Sequence, residues 1–458
     1  MLLMTELLPH QVAAVEKLRR LKVGALLMEM GTGKTRTALE LIKLRLDSGK
    51  VDAVLWLCPC SVKKNLREDI LYHCGEIPDR LVIRGIESLS SSDHLYMQLL
   101  RLVETHKIFL VVDESNLVKN PSAIRTSRIT ALSKLCQYKI ILNGTPISRN
   151  EADMFAQWYI LDWRILGYQS YYSFAANHLE YWTIKLPDGR ERVDRNRVKR
   201  VLNTDYLAAK INPYTYQVKK EECLKLPEKR YSDRYFHMSR EQAGFYEETK
   251  ELFLGNVDEF REETIYKLFT ALQHVSSGRR VISEPYARME TEPIFSNPED
   301  NPRINTLLQS VNDLYGEKAI IFCKYQSEID DLYRVLSANG YSCVTFTGKL
   351  SQEARQRNRE GFRNGMQLFL SNKSCGAYGL NLQFCHNIIY YSNDFDLATR
   401  LQSEDRVHRL GQTQAVNIID IYTDGIDEFI IKCLHCKKNL LECFKREIEK
   451  LKNEKVKK

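Results

Sequence analysis

Short apolar runs that end in polar loops recur along this chain, and they narrow the folds open to it. Helical patterns separate these runs, which stand at residues 24–28, 53–57, 108–112 and 139–142 and again at 319–322, 343–346, 368–370, 388–391 and 416–419. Strands of this length that alternate with helices predict parallel sheets with helices on both faces. Because the runs fall into two groups, we expect an α/β protein with two such sheets.

The length of 458 residues suits two or three domains, each large enough to bury its own core. No apolar run approaches the roughly 20 residues that a membrane helix needs. The first six residues, Met1 to Glu6, are too short for a signal peptide. We therefore expect no membrane association, and a place in the cytoplasm of a virus-infected or bacterial cell, or in the nucleus of a eukaryote.

The stretch between the two groups of runs is irregular, and it sets the predicted boundaries. The turn Pro187-Asp188-Gly189 predicts a hairpin within residues 181–193, and helices are expected at 197–210 and 242–253. Four prolines between residues 283 and 302 indicate a domain boundary. The predicted parts are a first lobe at residues 1–240 with a protrusion at about 150–225, a helical protrusion and linker at 241–302, and a second lobe at 303–458.

The 12 cysteines are scattered singly through apolar stretches, which is typical of reduced core thiols. Only Cys433, His435 and Cys436, with Cys443 beyond, have a spacing like that of metal ligands. Apolar residues at helical intervals between 428 and 451 allow these cysteines to pack on one helix face instead. A structural zinc site needs four ligands and the fourth is not evident, so packing is favoured over zinc.

A glycine loop with the sequence Met28-Glu29-Met30-Gly31-Thr32-Gly33-Lys34-Thr35 stands between a strand-like run and a predicted helix. A loop in that place turns backbone N–H groups and the positive end of a helix toward one point, which suits a triphosphate. Gly31 and Gly33 allow close approach, Lys34 can reach the β and γ phosphates, and the Thr35 hydroxyl can ligate magnesium. The alternative without a function is a glycine turn that precedes a helix by chance. The pattern predicts ATP and Mg²⁺ as cofactors, with Thr32 also lining the loop.

Two acidic residues, Asp113 and Glu114, follow the run at 108–112, at the carboxyl end of a predicted parallel strand. Ligands bind at that edge of such sheets. Asp113 would hold magnesium through water, and Glu114 would orient and deprotonate the attacking water. In isolation such a pair is more often a helix cap or a salt bridge, but its place downstream of a phosphate loop favours catalysis.

Taken together, these motifs resemble those of the Swi/Snf-type ATPases of helicase superfamily 2, over nearly the whole chain. The resemblance implies two RecA-like lobes, with helical protrusions between them, that close on ATP. It also implies that Gln11 contacts the adenine base and that Gly379 lies in the nucleotide site. The other segments that carry it are Leu8-Pro9-His10-Gln11, Asp113-Glu114-Ser115-Asn116 with Lys119-Asn120-Pro121, Asn143-Gly144-Thr145-Pro146, Leu226-Pro227, Lys318 to Phe322, and Gly379-Leu380-Asn381-Leu382.

The most telling segment runs from Gln402 to Gln412 and is similar to the sixth motif of that family. Helical spacing would bring Gln402, Arg406 and Arg409 onto one side. The two arginines would then reach the γ-phosphate across the cleft once the lobes close, as an arginine finger does. On its own the segment would more often be a salt-bridged surface helix, but the presence of Gly33-Lys34-Thr35 and Asp113-Glu114 favours the arginine finger.

Three departures from the family pattern stand out. Asn116 stands where the family usually has His, which alters a position that links hydrolysis to DNA grip. The segment from Ser371 to Leu382 has one residue more than the commonest spacing. Asp394-Phe395-Asp396-Leu397 replaces the family's usual Trp-Asn-Pro.

A motor on nucleic acid needs phosphate-facing groups on both lobes. At positions that match the family's backbone contacts, the chain has Ser61, Lys63, Lys64, Gly348, Lys349, Lys373 and Ser374. The densest basic cluster lies between Arg190 and Arg200, and it fits either a grip on duplex phosphates or an ordinary charged hairpin. Lys and Arg exceed Asp and Glu by 67 to 59, a net charge of +8 that mildly favours a polyanionic partner.

The leading functional hypothesis is an ATP-dependent translocase on double-stranded DNA that remodels or displaces bound material without separating the strands. The chain shows nothing like a base-reading helix or zinc finger, so binding should be independent of sequence. We expect a monomer that is directed by a partner protein, by DNA structure or by nothing at all. The alternatives are a strand-separating DNA or RNA helicase, for which the phosphate site would be identical, and a silent scaffold, which would have no need for Lys34, Glu114, Arg406 and Arg409 together.

Overall fold

The computed structural model describes residues 1–144, 151–185, 190–257, 262–372 and 380–435. The chain divides into two compact units, Met1–Lys225 and Leu226–Lys458. Each unit contains one six-stranded parallel sheet with helices on both faces. The predicted fold class is therefore confirmed.

The sheet of the first unit has the strand order β3-β2-β4-β5-β1-β8. Its strands are β1 (Val23–Met28), β2 (Ala53–Cys58), β3 (Leu81–Gly85), β4 (Ile108–Asp113), β5 (Tyr138–Asn143) and β8 (Thr215–Val218). The hairpin strands β6 (Leu179–Lys185) and β7 (Glu191–Val201) pair apart from it. The helices are α1 (Pro9–Leu18), α2 (Lys34–Asp47), α3 (Lys63–Cys74), α4 (Ser88–Ser91), α5 (Asp93–Thr105), α6 (Ile124–Leu135), α7 (Met154–Leu166), α8 (Tyr171–His178), α9 (Thr204–Ile211) and α10 (Lys220–Cys223).

The central strands of this sheet are apolar at successive positions because both of their faces are covered. In β4, Leu110 and Val112 belong to one core cluster and Phe109 and Val111 to the other. The first cluster is completed by α5 to α9 and the second by α1, α2 and α3. The strand-like runs predicted from the sequence lie in these buried strands.

The sheet of the second unit has the order β13-β14-β12-β15-β16-β9. Its strands are β9 (Lys229–Tyr235), β12 (Ala319–Cys323), β13 (Cys343–Phe346), β14 (Leu368–Asn372), β15 (Asn387–Tyr390) and β16 (Val416–Tyr422), and β10 (Arg279–Val281) and β11 (Thr291–Pro293) form a separate pair. The helices are α11 (Arg240–Leu254), α12 (Glu262–Ser276), α13 (Pro302–Asn312), α14 (Gln326–Ala338), α15 (Gln352–Asn364), α16 (Leu397–Glu404) and α17 (Ile426–His435). Among the described helices, none is both long and apolar enough to cross a bilayer.

The second unit begins earlier in the chain than the sequence suggests. The first lobe was expected to end at residue 240, but β9 pairs along its whole length with β16 and so belongs to the second sheet. Helices α11 and α12, predicted as a separate protrusion, share a core cluster with α17. The strand β9 has no apolar pattern in the sequence because it is an edge strand whose side chains are mostly exposed.

The predicted hairpin is present, and it is longer than expected. β6 and β7 pair antiparallel from Leu179 with Val201 to Lys185 with Glu191, around a turn whose residues 186–189 lie outside the described part. A helix was predicted from residue 197, but the strand continues to Val201 and α9 begins only at Thr204. The reason is that Val198 and Val201 pack against the core of the first unit, which the extended strand allows.

Candidate nucleotide site

The glycine loop leaves β1 and enters α2 in a backbone form that only glycine adopts readily. Gly31 has a φ of 81° and Gly33 a φ of 87°, and Gly33 caps the amino end of α2. A Cβ added to Gly33 would lie 2.1 Å from Nε2 of Gln11. Position 33 therefore favours glycine, because its φ strains other residues and because an added Cβ would displace the Gln11 side chain from the loop.

Lys34 folds back over this loop. Its Nζ donates to the carbonyl oxygen of Met28 at 2.8 Å and to that of Glu29 at 3.4 Å. The Thr32 hydroxyl also donates to the Glu29 carbonyl, at 2.7 Å. Thr35 is half-buried in the first turn of α2. The loop thus holds its own cation over the amino end of a 14-residue helix, which is the arrangement that attracts phosphate.

Two side chains of α1 fix the same loop from the other side. His10 Nε2 lies 2.7 Å from the Thr32 carbonyl oxygen, and Gln11 Nε2 donates to that oxygen at 3.1 Å. Gln11 Oε1 accepts from the Leu8 amide at 3.0 Å. The structure places Gln11 against the phosphate loop, and its contact with adenine stays a prediction.

Asp113 ends β4, two strands from β1 in the sheet, so that both are at the same edge. Burial and the neighbouring Glu114 raise the pKa of Asp113 to about 7, and the charge of Lys34 opposes this rise. The predicted lysine and the predicted acid are therefore close enough to interact. Two adjacent carboxylates, with the hydroxyl of Thr35 next to Lys34 in the glycine loop, are a donor set that fits Mg²⁺, whose charge would offset the crowding.

Glu114 has the dihedral angles φ 49° and ψ 56°, in the left-handed region that side chains other than glycine rarely occupy. Such a conformation costs about 1–3 kcal/mol and is found most often at functional sites. It turns the chain sharply between the buried strand and the short helix that begins at Ser115. The predicted base is thus the residue on which the backbone bends.

A hydrogen-bonded chain connects this bend to β5. The Ser115 hydroxyl donates to Gln157 Oε1 at 2.5 Å and accepts from Asn143 Nδ2 at 3.4 Å. Asn143 opens the predicted third motif, whose Thr145 and Pro146 lie outside the described residues. Gln157 of α7 gave no local signal in the sequence, because its role depends on a partner 42 residues away. In the second motif, Asn116 Oδ1 is buried without a hydrogen-bond partner among the described residues.

The arginine segment of the second unit is built differently from the prediction. The helix α16 ends at Glu404, so Arg406 and Arg409 lie in turns beyond it and share no helix face with Gln402. The chain tightens after Glu404: the amide of Val407 donates to the Glu404 carbonyl at 3.1 Å and that of Arg409 to the Val407 carbonyl at 3.1 Å. Burial of the Val407 side chain in the core holds these turns. Gln402, Arg406 and Arg409 therefore do not share one helix face, and that prediction is wrong.

The fifth and sixth motifs are joined within the second unit. The Leu382 amide donates to the Arg406 carbonyl at 3.0 Å, and Arg409 Nη1 donates to Asn381 Oδ1. Gly379, predicted to line the nucleotide site, lies outside the described residues. These contacts hold Arg409 beside Asn381 and Leu382, which belong to the segment that resembles the family's fifth motif.

A buried ionic cluster under this segment was not predicted. Arg400 makes two hydrogen bonds to the Asp420 carboxylate, at 2.6 and 2.8 Å, and one to Glu404 Oε1 at 2.8 Å. Glu404 also accepts from Lys229 Nζ and from the Tyr231 hydroxyl, each at 2.9 Å. The cluster ties α16 to β9 and β16, and thereby positions the residues that follow Glu404.

The candidate nucleic-acid residues have mixed surroundings. Ser61 and Lys64 are exposed and Lys63 is half-buried at the start of α3, while Gly348 and Lys349 form an exposed turn after β13. Lys373 and Ser374 lie outside the described residues. These roles stay predictions.

Two members of the basic cluster are paired within the hairpin. Lys199 lies 2.8 Å and Arg200 2.5 Å from the Glu180 carboxylate. These two contacts favour the ordinary charged hairpin over a phosphate grip at those positions.

Cys433 is buried in the core cluster of α11, α12 and α17, as the packing interpretation expects, and Cys436 and Cys443 are outside the described residues.

Two protein-family models match this chain. The model of the SNF2-related domain matches residues 79–287, and that of the helicase conserved C-terminal domain matches residues 302–411. The chain belongs to the Swi/Snf-type helicase-like ATPases. The family resemblance predicted from the motifs is confirmed.

Relatives of this Swi/Snf-type chain come from animals, bacteria and viruses. It is 24% identical over 433 residues to the mouse chromodomain-helicase-DNA-binding protein 1-like, covering 88% of this chain and 46% of the mouse protein. It is 23% identical to the uncharacterized ATP-dependent helicase YqhH of Bacillus subtilis (strain 168), covering 95% and 79% of the two chains. It is 24% identical to a probable global transactivator of Orgyia pseudotsugata multicapsid polyhedrosis virus, covering 91% and 86%.

A solved structure of the Sulfolobus solfataricus SWI2/SNF2 ATPase core in complex with dsDNA also matches. It covers 96% of this chain and 92% of that chain at 21% identity, with a TM-score of 0.40. The chain spans about half the length of the mouse relative, 46%.

The fit of Gly33 against Gln11 gives a direct test of the loop. Gly33→Ala should weaken ATP binding about ten-fold or more, because a Cβ there meets Gln11 and the φ of 87° strains any side chain. Gly49→Ala is the matched control, since Gly49 has a φ of 63° but nothing within 4 Å of its added Cβ. Titration with a fluorescent ATP analogue measures both. Equal affinities in the two variants would contradict a loop that depends on Gly33.

Proposed function

We propose that this chain is an ATP-driven translocase that moves along double-stranded DNA and remodels or displaces bound material without separating the strands. The observation that carries the proposal is the glycine loop after β1 and the acidic pair after β4, which lie at one edge of the same parallel sheet in a Swi/Snf-type chain. Relatives are named as a helicase-DNA-binding protein in mouse and as a chromatin-remodeling factor in Arabidopsis thaliana. Both names favour DNA within chromatin or similar complexes as the substrate.

In the proposed reaction, Lys34 leaves its carbonyl partners and binds the β and γ phosphates of ATP. Thr35 and Asp113 would hold Mg²⁺, which supplies charge neutralisation at the phosphate oxygens. Glu114 accepts a proton from water, the water oxygen attacks the γ phosphorus, and the bond to the ADP oxygen breaks.

The second unit contributes guanidinium groups in this proposal. Arg406 and Arg409 would stabilise the negative charge on the transferring phosphoryl group, and Gln402 would help to position the water or the phosphate. Contact by these residues only in the ATP-bound state makes hydrolysis depend on the arrangement of both units. That dependence is what couples the reaction to movement.

Duplex phosphates are the proposed ligands of Ser61, Lys63 and Lys64 on the first unit and of Gly348, Lys349, Lys373 and Ser374 on the second. Backbone contacts of this kind carry no sequence information, so a partner protein would direct the motor to its target. The alternative is a strand-separating helicase on DNA or RNA. It would use the same phosphate site and is distinguished by its substrate.

Nucleic-acid stimulation distinguishes the two candidates. Steady-state ATP hydrolysis should rise strongly with blunt duplex DNA and much less with single-stranded DNA or RNA of the same length. A triplex-forming third strand should be displaced, while a forked duplex should stay paired. Efficient opening of the fork would favour the helicase alternative, and the absence of stimulation by any nucleic acid would remove both.

The role of Glu114 is tested by substitution. Glu114→Gln should bind ATP but hydrolyse it about 10²–10⁴ times more slowly, because the amide cannot accept the proton of water. Single-turnover kinetics measure the chemical step, and Glu104→Gln, at an exposed position of α5, is the control. Unchanged turnover in Glu114→Gln would exclude Glu114 as the base.

A further inference from the structure

The segment from Lys220 to Pro227 joins the two units, and its first end is fixed to the phosphate loop. The Lys220 amide donates to Glu29 Oε2 at 2.8 Å. The Glu29 amide in turn donates to the Val218 carbonyl of β8 at 3.2 Å. Glu29 is itself part of the loop, since its carbonyl oxygen accepts from Thr32 and Lys34. One residue therefore contacts both the loop that would bind phosphate and the chain that leaves the first unit.

The other end of the segment is fixed to the arginine segment. His408 Nε2 lies 2.7 Å from the Pro227 carbonyl oxygen. A carbonyl oxygen only accepts, so Nε2 is the protonated nitrogen and donates. His408 stands between Arg406 and Arg409 in sequence, and the Val416 amide holds the next carbonyl, that of Glu228, at 2.9 Å. From Pro227 onward the chain is thus anchored within the second unit.

Much of the segment between the Glu29 contact and the His408 contact is held by hydrogen bonds within the first unit. Its first four residues form α10, whose start is capped by the Glu222 carboxylate on the Lys219 amide at 3.0 Å. The Leu224 amide donates to the Lys220 carbonyl at 2.9 Å. The division between the units, after Lys225, falls inside this same stretch.

We propose that residues 220–227 act as a strap of fixed length, and that Glu29 and His408 are positioning residues that attach it to the two halves of the ATP chemistry. A shift of the phosphate loop on ATP binding moves Lys220 through Glu29, and the strap passes the displacement through Pro227 and His408 to the flanking arginines. The mechanism needs a short connection, because each added residue gives up to about 3.5 Å of slack. The inference rests on the proposed function, since it concerns how ATP state is transmitted in that motor.

Lengthening the strap tests the inference while leaving both anchors in place. Insertion of Gly-Ser-Gly-Ser between Lys225 and Leu226 should lower duplex-stimulated turnover about ten-fold or more while the Kd for ATP changes less than about two-fold. The control carries the same insertion between Tyr315 and Gly316, an exposed turn of the second unit where Tyr315 is 93% exposed. Thermal unfolding checks that both chains are folded. Wild-type turnover in the lengthened chain overturns the strap.

Substitution of His408 tests the second anchor. His408→Ala removes the donor to Pro227, whereas the amide nitrogen of His408→Gln reaches about as far as Nε2. The alanine variant should lose duplex-stimulated kcat about ten-fold with little change in KM for ATP, and the glutamine variant should recover most of it. Equal loss in both variants overturns the positioning role of His408. A wild-type chain that duplex DNA does not stimulate would instead overturn the proposed function, and the strap with it.

Discussion

A carboxylate crowded by a second carboxylate keeps its charge more readily when a cation is near, and this balance shapes the candidate nucleotide site of the first unit. Asp113 is placed at the end of a buried strand with Glu114 next to it, and burial with that neighbour raises its pKa to about 7. Lys34 opposes the rise from the phosphate loop. The parallel sheet makes this meeting possible, because it brings the ends of β1 and β4 to one edge.

The second unit also contains charged side chains away from solvent, and in it they are paired with each other. Arg400, Glu404 and Asp420 are all buried, and each has opposite charge within hydrogen-bonding distance. Removal of one partner from such a cluster leaves an uncompensated buried charge, which is costly. The cluster therefore fixes the end of α16, and the turns that follow it hold Arg406 and Arg409 beside Asn381 and Leu382. Rigid support of this kind suits residues that must meet a phosphate in one geometry.

The sequence predicts the parts of this protein that depend on local pattern. Buried strands such as β4 and β12 are continuous apolar runs, and the glycine loop is recognisable because phosphate binding requires residues at fixed spacing. The strand β9 was not delimited because an exposed edge strand has no apolar alternation to detect. The end of α16 was missed for a different reason. Arg406 and Arg409 keep helical spacing in the sequence, whereas in the structure the helix ends at Glu404 and turns around the buried Val407 follow it.

Contacts between distant residues were also out of reach of the sequence. Glu29 meets Lys220 across 191 positions and His408 meets Pro227 across 181, and no periodicity joins such pairs. Sequence motifs thus indicate which residues take part, while the folded chain shows how Gln157, Arg400 and Glu29 hold them.

In the proposed motor, one ATP is held by groups from both units, with Lys34, Asp113 and Glu114 from the first and Arg406 and Arg409 from the second. The most direct test is an experimental structure of the full chain with duplex DNA, ADP, magnesium and aluminium fluoride, which mimics the transferring phosphoryl group. We predict guanidinium nitrogens of both arginines within about 3 Å of the fluoride ligands. A complex in which the fluoride is bound by the first unit alone, with both arginines turned to solvent, would contradict it.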